Sequence, residues 1–207
     1  MRKTRPVMMI DPVTQVTRAL AKARLDTSDY DLNPDIVLPA GRKLRPAGVL
    51  VAIAESTAEP VVYLTKRSSA LKHHPGQIAF PGGKQDEGDD DVTAAALREA
   101  WEEIGLRPDN IEVLGSLPSH ETVTSFAVTP VVARIRAGFD PIAEPGEVEE
   151  IFTVPLSHLL RLDNFHVQSR RWRGQQRRYY TVPFGPYYIW GATARILRSL
   201  ADAARAE

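Results

Sequence analysis

One segment constrains the fold and the chemistry of this chain more than any other, 82-GGKQDEGDDDVTAAALREAWEEIG-105. Two adjacent glycines and a run of acids lead into an alanine-rich stretch that ends in a cluster of glutamates. The pattern from residue 91 to residue 104 predicts an α-helix, because acids at its start suit the helix dipole and Gly105 is typical of a helix stop. We therefore expect a loop that runs directly into a carboxylate-bearing helix.

The glutamates of this helix crowd negative charge onto one side. At about 100° per residue, Glu99, Glu102 and Glu103 fall within an arc of roughly 100°. The opposite, packed side is expected to consist of Leu97, Ala100, Trp101 and Ile104. An exposed acidic face is ordinary in itself, since like charges at i,i+4 cost only about 0.2–0.5 kcal/mol in water. The preceding Gly82 and Gly83 favour a site instead, because they let another group approach closely, and carboxylates on a rigid helix suit Mg²⁺ or Mn²⁺.

The rest of the chain alternates strand-like and helix-like patterns, which predicts an α/β or α+β sandwich. We expect one domain, residues 45–207, preceded by an N-terminal helix and a polar connector, residues 1–44. The expected strands are 47–55, 60–67, 111–117, 126–135 and 148–154, with a hairpin over 165–184, and further helices at about 11–25, 155–160 and within 187–206. The first two strands are separated by a short turn, which is typical of an antiparallel pair.

Charge and cysteine content exclude several function classes. The 26 basic residues balance the 26 acidic ones, so no overall field draws the chain to nucleic acid or to a membrane surface. With no cysteine, disulfides, thiolate metal sites and cysteine nucleophiles are excluded. The apolar run from Val7 to Ile10 is too short for a signal peptide, and no segment has the roughly 20 apolar residues that cross a bilayer. We expect a cytoplasmic protein with no membrane partner.

Part of the opening segment resembles the signature box of the Nudix hydrolases, written GxxxxxE, seven residues, REUxEExGU with U aliphatic. The matching residues are Gly83, Asp89 and 98-REAWEEIGL-106. Aspartate stands where glutamate is usual, and the gap to Arg98 is one residue longer. The resemblance implies a Nudix-type α/β/α sandwich with a mixed β-sheet. It also implies divalent-metal-dependent hydrolysis of a nucleoside diphosphate linked to another group.

Metal and catalytic roles follow from this resemblance. Glu99 and Glu103, four residues apart on one helix face, are the firmest expected metal ligands, and Glu102 is expected as a third ligand or bridge. Arg98 is expected to orient Glu99 by an ion pair. The loop at Gly83 is expected to position the first metal ion through its backbone.

The general base is left open by the sequence, because family members differ in which carboxylate activates water. In the segment 146-GEVEEIFTVPL-156, Glu147 or Glu150 could reach the site. The solvent-facing edge of a strand explains both residues equally well.

Upstream of the box, 63-YLTKRSSALKHHPGQIAFPGG-83 resembles the extra motif of the coenzyme A pyrophosphatase branch, LLTxR[SA]xxxRxxxGxxxFPGG. Lys72 replaces the second arginine and Tyr63 the first leucine. With the stretches 124–132 and 190–197, the resemblance covers about residues 45 to 200. It implies that coenzyme A is cleaved to 3′,5′-ADP and 4′-phosphopantetheine.

Cations near the box could bind such a diphosphate. The expected substrate-binding residues are Arg67, Lys72, Gly83 and Lys84, with His73 and His74 nearby. Arg67 and Lys72 are preferred because they occupy motif positions.

Other functions stay open. The same chemistry could act on ADP-ribose, a dinucleotide cofactor, a dinucleoside polyphosphate or capped RNA, and a non-catalytic nucleotide-sensing module is a further class. A basic hairpin could stack bases and bind phosphates, although a solvated hairpin is favoured and nucleic acid is disfavoured as a partner. Its cations and aromatics are Arg170, Arg171, Arg173, Arg177, Arg178, Trp172, Tyr179 and Tyr180. The N-terminal helix could form a homodimer or cover the sheet.

Overall fold

The computed structural model describes residues 11–39, 41–55, 58–172 and 174–205, and within these a nine-stranded sheet and a separate two-stranded hairpin form the β structure. The predictions made for residues 1–10, including the apolar run at its end, lie outside the described residues. In chain order the elements are α1 (Pro12–Lys22), β1 (Thr27–Ser28), β2 (Arg45–Ala54), β3 (Val61–Arg67), β4 (Ile78–Ala79), β5 (Gly82–Lys84), α2 (Val92–Ile104), β6 (Ile111–Ser116), β7 (His120–Glu121), β8 (Phe126–Ile135), β9 (Val148–Pro155), α3 (Leu156–Leu159), β10 (His166–Trp172), β11 (Gln175–Thr181) and α4 (Ala192–Arg205).

The two longest strands, β2 and β8, form the centre of the sheet and run parallel from Arg45↔Phe126 to Ile53↔Arg134. Antiparallel strands flank them: β6 and β7 pair with β8, β5 pairs with β2, and β9 pairs with β3. The predicted antiparallel pairing of β2 with β3 is limited to two residue pairs at the end of β2. A short turn signals only the local neighbour, whereas the parallel partner of β2 lies far along the chain and has no local sequence signal.

Helices cover both faces of the mixed sheet, so the fold class predicted from the sequence is confirmed. Helix α2 packs on one face, where Leu50, Ala96 and Ile104 are fully buried. On the other face α1 and α4 pack together over a larger core that includes Val16 and Leu200.

Capping residues set the helix limits. The side chains of Asp11 and Asp91 accept hydrogen bonds from the amides of Thr14 and Ala94, at 2.9 and 2.8 Å, which satisfies free donors at the starts of α1 and α2. Gly105 follows α2 with a φ of 72°, a left-handed conformation that favours glycine. Helix α1 ends at Lys22 rather than near residue 25, where the apolar periodicity had placed its end.

The polar connector is held to the sheet by buried hydrogen bonds. His120 is fully buried, with Nδ1 2.9 Å from the Thr27 hydroxyl and Nε2 3.2 Å from Asp29 Oδ1. Further along, the Asn33 side chain donates to the carbonyl of Arg178 and accepts from its amide, at 2.9 and 2.8 Å. The connector therefore packs against both the sheet edge and the β10–β11 hairpin, and a domain boundary near residue 45 stays a prediction.

Of the described helices, none has the length and apolar character needed to cross a membrane.

The packing of α1 into the core gives a testable expectation. Val16 is fully buried whereas Leu25, just beyond the helix, is 80% exposed. Val16→Ala should lower the free energy of unfolding by about 2 kcal/mol, from lost apolar burial plus a cavity. Leu25→Ala should leave it unchanged. Urea denaturation of both variants measures this, and equal stabilities would contradict the packing of α1.

Candidate active site

Three glutamates from two distant parts of the chain meet beside the glycine loop. Glu99 and Glu103 lie on α2, and Glu147 lies immediately before β9. Each offers a carboxylate oxygen, and these oxygens all lie within 4.8 Å of one another. Glu147 reaches this point because its carbonyl accepts a hydrogen bond from the Ser68 amide at 2.8 Å, just after β3. The structure thus brings together two of the helix glutamates and the distant Glu147.

Glu103 is the buried member of this cluster, with 4% of its surface exposed. Burial raises the pKa of its carboxyl to about 8, and the charges of Glu99 and Glu147 add to the rise. The Gly82 amide, which donates to Glu103 Oε2 at 3.1 Å, and the charge of Arg67 oppose it. Burial also raises the pKa of Glu99. Negative charge in this cluster is therefore costly until a cation compensates it.

The helix is rotated relative to the arrangement expected from its pattern. The three glutamates were expected to share a face away from the core, with Trp101 on the packed side. Instead Glu103 is buried against the glycine loop, Trp101 is 53% exposed, and the Glu102 side chain is 56% exposed. The small side chains of Ala96 and Ala100, fully buried, form the face that approaches the sheet. Ala100 and Ile104 are therefore buried as predicted, whereas the prediction for Trp101 is wrong, because hydrophobicity alone does not show that small alanines form the contact with the sheet.

Arg98 connects the loop to the helix. Its guanidinium donates through Nε and Nη2 to the two carboxylate oxygens of Asp89, both at 2.9 Å, and through Nη1 to Glu99 at 3.1 Å and Glu102 at 2.9 Å. The bond from Arg98 lowers the pKa of Asp89 to about 2. Asp89 also accepts from the Asp86 amide at 2.8 Å. Aspartate at position 89 therefore retains a paired, loop-fixing role, and Glu102 is held by Arg98 outside the three-glutamate cluster.

The donors of the cluster fit a hard divalent cation, which prefers carboxylate oxygens. Gly83 is part of this fit. A Cβ built at residue 83 would lie 2.4 Å from Glu99 Oε1, so only glycine allows this carboxylate to rest on the loop. Glu99, Glu103 and Glu147 are thus the described residues that could hold the ion.

A cavity of about 540 Å³ is linked to this cluster through Arg67, although none of the three glutamates is among the described residues that line it. Arg67, at the end of β3, lines it and is close enough to Glu103 for its charge to act on that carboxyl. The buried Phe80 also contributes to the wall. The volume is in the range of pockets that enclose a nucleotide-sized ligand.

Only some of the predicted substrate-binding cations lie at the cavity. His74 lines the cavity together with Arg67, whereas Lys72 and Lys84 are not among the described residues that line it. Lys72 is exposed, and the Lys84 ammonium lies 2.6 Å from Asp86 Oδ1. The backbone of Lys84 contributes instead, since its carbonyl accepts from Arg98 Nη2 at 3.3 Å.

The β10–β11 hairpin also lines the cavity, although the sequence favoured a solvated hairpin. Arg170, Arg177, Arg178 and Tyr179 all lie in the wall, and so does Trp190 from the segment before α4. Arg171 is exposed, and Arg173 lies outside the described residues. The alternation of charged and aromatic residues was the only sequence signal for this wall, and nothing in it indicates which partner the hairpin folds against.

Comparison with known proteins agrees with this geometry. The profile of the NUDIX domain matches residues 44–173, which is more than half of the chain. This chain belongs to the Nudix hydrolase family. An uncharacterized Nudix hydrolase NudL of Citrobacter koseri is 43% identical over 157 residues, which cover 76% of this chain and 81% of that protein. The protein of the same name from an Enterobacter species is 43% identical over 183 residues, covering 83% and 95%.

Among solved structures, a MutT/nudix family protein from Enterococcus faecalis overlaps 95% of this chain and 73% of its own, with a TM-score of 0.47 and 18% identity. That overlap is loose, and the family assignment rests on the domain profile and the curated relatives. The chain is accordingly a Nudix hydrolase, a pyrophosphatase that acts on a nucleoside diphosphate derivative, in a family that generally uses divalent metals.

The buried glutamate predicts how the stability of the metal-free Nudix protein depends on pH. The raised pKa of Glu103, about 8 against 4.5 normally, means that the folded state keeps a proton that the unfolded chain releases. Below about pH 4.5 the carboxyl is protonated in both the folded and the unfolded state, so its burial as a neutral group carries no charge penalty. As pH rises from 4.5 towards 8, only the unfolded chain loses the proton, and the free energy of unfolding falls by an amount on the order of a few kcal/mol. Denaturation in excess chelator at pH 5 and pH 8 measures the loss.

Glu103→Gln should remove most of this dependence, since the amide is neutral and its oxygen can still accept from the Gly82 amide. The matched control is Glu87→Gln, at an exposed position of the same loop, and it should behave like the unaltered protein. An undiminished pH dependence in Glu103→Gln would contradict the burial of this charge.

Proposed function

We propose that this Nudix hydrolase cleaves the diphosphate of coenzyme A or of an acyl-coenzyme A, releasing 3′,5′-ADP and 4′-phosphopantetheine or its acyl form. The observation that carries the proposal is the position of the segment 63–83 in the structure. The sequence of this segment resembles the motif of the coenzyme A pyrophosphatase branch. Its residues form one wall of the cavity and lead directly to the carboxylate cluster. Substrate recognition and the reacting centre are therefore parts of one continuous stretch of chain.

Local contacts support this assignment of the segment. The carbonyl of Arg67 accepts from the Gly76 amide at 3.1 Å, and the Arg67 amide donates to the Gln77 carbonyl at 3.0 Å. These bonds close the loop 68–75 against β3, so the arginine faces the cavity from a rigid strand end. We assign Arg67 to the substrate diphosphate, while Lys72, exposed on the loop, and Lys84, paired with Asp86 at the end of β5, are weaker candidates.

We assign Glu99, Glu103 and Glu147 as the ligands of Mg²⁺ or Mn²⁺, with the backbone at Gly83 shaping the same site. The support is the 4.8 Å limit on their mutual oxygen distances. When bound there, the ion supplies neutralisation of the diphosphate charge and a lowered pKa for a coordinated water. Glu102, expected from the sequence as a ligand or bridge, is assigned an outer role because its carboxylate is held by Arg98.

The protein groups have distinct roles in this proposal. Arg98 fixes the orientation of Glu99 and binds the loop through Asp89, as a positioning residue that does not touch substrate. Glu147 is the exposed member of the cluster and the carboxylate best able to accept a proton from an attacking water, a role that competes with ligation.

The substrate assignment is tested by product-identified hydrolysis of coenzyme A, an acyl-coenzyme A, ADP-ribose, NADH and a dinucleoside polyphosphate under identical conditions with Mg²⁺ and with Mn²⁺. Coenzyme A or its acyl form should give the highest kcat/KM, with 3′,5′-ADP as product. A higher kcat/KM for another of these compounds would contradict the coenzyme A assignment and indicate that compound as the substrate of this Nudix hydrolase. Hydrolysis of none would favour a nucleotide-sensing module.

The metal assignment predicts that Glu103→Gln almost abolishes turnover without unfolding the protein. The amide is a poorer ligand for a hard cation than the carboxylate, so the loss should exceed about a hundredfold in kcat/KM. Glu87→Gln should retain full activity. Steady-state kinetics together with a thermal melt separates lost chemistry from lost structure, and unchanged metal-dependent hydrolysis in Glu103→Gln would refute the assignment.

A further inference from the structure

The cavity is strongly cationic although the chain as a whole has a formal net charge of zero. Among its described lining residues are four arginines, three of them from the β10–β11 hairpin, and one aspartate, Asp29. Both oxygens of Asp29 are engaged elsewhere, by His120 Nε2 at 3.2 Å and by the Val123 amide at 2.9 Å. The wall therefore has an excess of positive charge suited to an anion.

Two of these arginines stand directly opposite each other on the hairpin. In the antiparallel register Arg170 pairs with Arg177, and both line the cavity. Like charges at opposed positions destabilise a hairpin, because their Cβ atoms are only about 5 Å apart. An anion between the two guanidinium groups would remove this repulsion and would gain charge-assisted hydrogen bonds.

An aromatic ring packs against each of the two guanidinium groups. The Arg170 guanidinium lies 4.6 Å from the centre of the Trp190 ring, and that of Arg177 lies 5.2 Å from the Tyr30 ring. The Trp190 ring also packs edge-on against the Tyr179 ring, with 5.3 Å between the ring centres. Such stacking orients the planar group while its charge is retained.

The hairpin is fixed to the body of the protein. The paired hydrogen bonds between the Asn33 side chain and the backbone of Arg178 attach β11 to the connector, and Asn33 is buried. The two arginines are thus carried on a preformed wall at the cavity, which lowers the entropy cost of binding.

We infer that Arg170 and Arg177 bind a phosphate monoester on the nucleotide half of the substrate, separate from the diphosphate at the carboxylate cluster. The inference rests on the proposed function and makes both arginines specificity-determining residues. Coenzyme A carries such a group on its 3′-hydroxyl, whereas ADP-ribose, NADH and simple dinucleoside polyphosphates carry only phosphodiester or anhydride phosphates in their linkages. Two guanidinium forks match a dianionic monoester in charge and geometry.

The kinetic test compares coenzyme A with dephospho-coenzyme A, which lacks only the 3′-phosphate. The unaltered protein should prefer coenzyme A by at least about tenfold in kcat/KM, the value of one charged hydrogen bond. Arg170→Gln and Arg177→Gln should each lower kcat/KM for coenzyme A by about tenfold to a hundredfold, and by a much smaller factor for dephospho-coenzyme A. Arg170→Lys, which keeps the charge but loses the planar fork, should fall between.

Arg171→Gln is the matched control, because Arg171 is the next residue on the same strand, is not among the described residues that line the cavity, and pairs with Gln176 rather than with an arginine. It should leave the preference intact. Equal hydrolysis of the two substrates by the unaltered protein, or equal losses on both in Arg170→Gln, would overturn the inference and leave the proposed coenzyme A hydrolysis standing.

A binding measurement tests the monoester site independently of coenzyme A hydrolysis. Calorimetric titration with 3′,5′-ADP and with 5′-AMP needs no turnover, and 3′,5′-ADP should bind about tenfold or more tightly only when Arg170 and Arg177 are present. That result in a protein that fails to cleave coenzyme A would refute the proposed function and retain the monoester site. If Arg170→Gln weakens binding of a short single-stranded RNA and leaves the 3′,5′-ADP preference unchanged, the hairpin is a nucleic-acid surface and the inference fails.

Discussion

The hydrogen bond from the Gly82 amide to the buried carboxylate of Glu103 is the interaction on which the architecture of the site depends. It attaches the helix that carries the glutamates to the glycine loop and, through β5, to the central strand β2. It also holds an acid in a place where burial opposes ionisation. A fold would not retain such a group for stability alone, since an apolar residue there would avoid the desolvation penalty.

The loop, the sheet and an ion pair place the other charged side chains of the site around this bond. The helix carries Glu99 to the loop, where the missing side chain of Gly83 leaves room for its carboxylate. The pairing of β3 with β9 brings Glu147 to the same point from far along the chain. Arg98, bound to Asp89 by two parallel hydrogen bonds, prevents the loop and helix from separating under the repulsion of their acids.

The proposed recognition wall and the proposed metal site adjoin each other at one edge of the sheet. Arg67 stands where both meet, at the end of β3. On the far side, the hairpin is fixed to a connector that the sequence marks only as polar and proline-rich, yet Asn33 and Asp29 of this connector make specific bonds to the hairpin backbone and to the sheet edge. The segment before β2 is therefore part of the cavity wall and not merely a linker.

The sequence by itself determined the fold class, most helix and strand limits and the group of residues from which the site is drawn, because caps, periodicity and the REAWEEIGL spacing are local signals. It could not determine the parallel pairing of β2 with β8, the outward position of Trp101, the displacement of Glu102 from the cluster or the approach of the hairpin arginines to Arg67. Each of these depends on which surfaces meet across long sequence separations. Only the tertiary structure decided them, since close packing selects side-chain volume and depth as well as hydrophobicity.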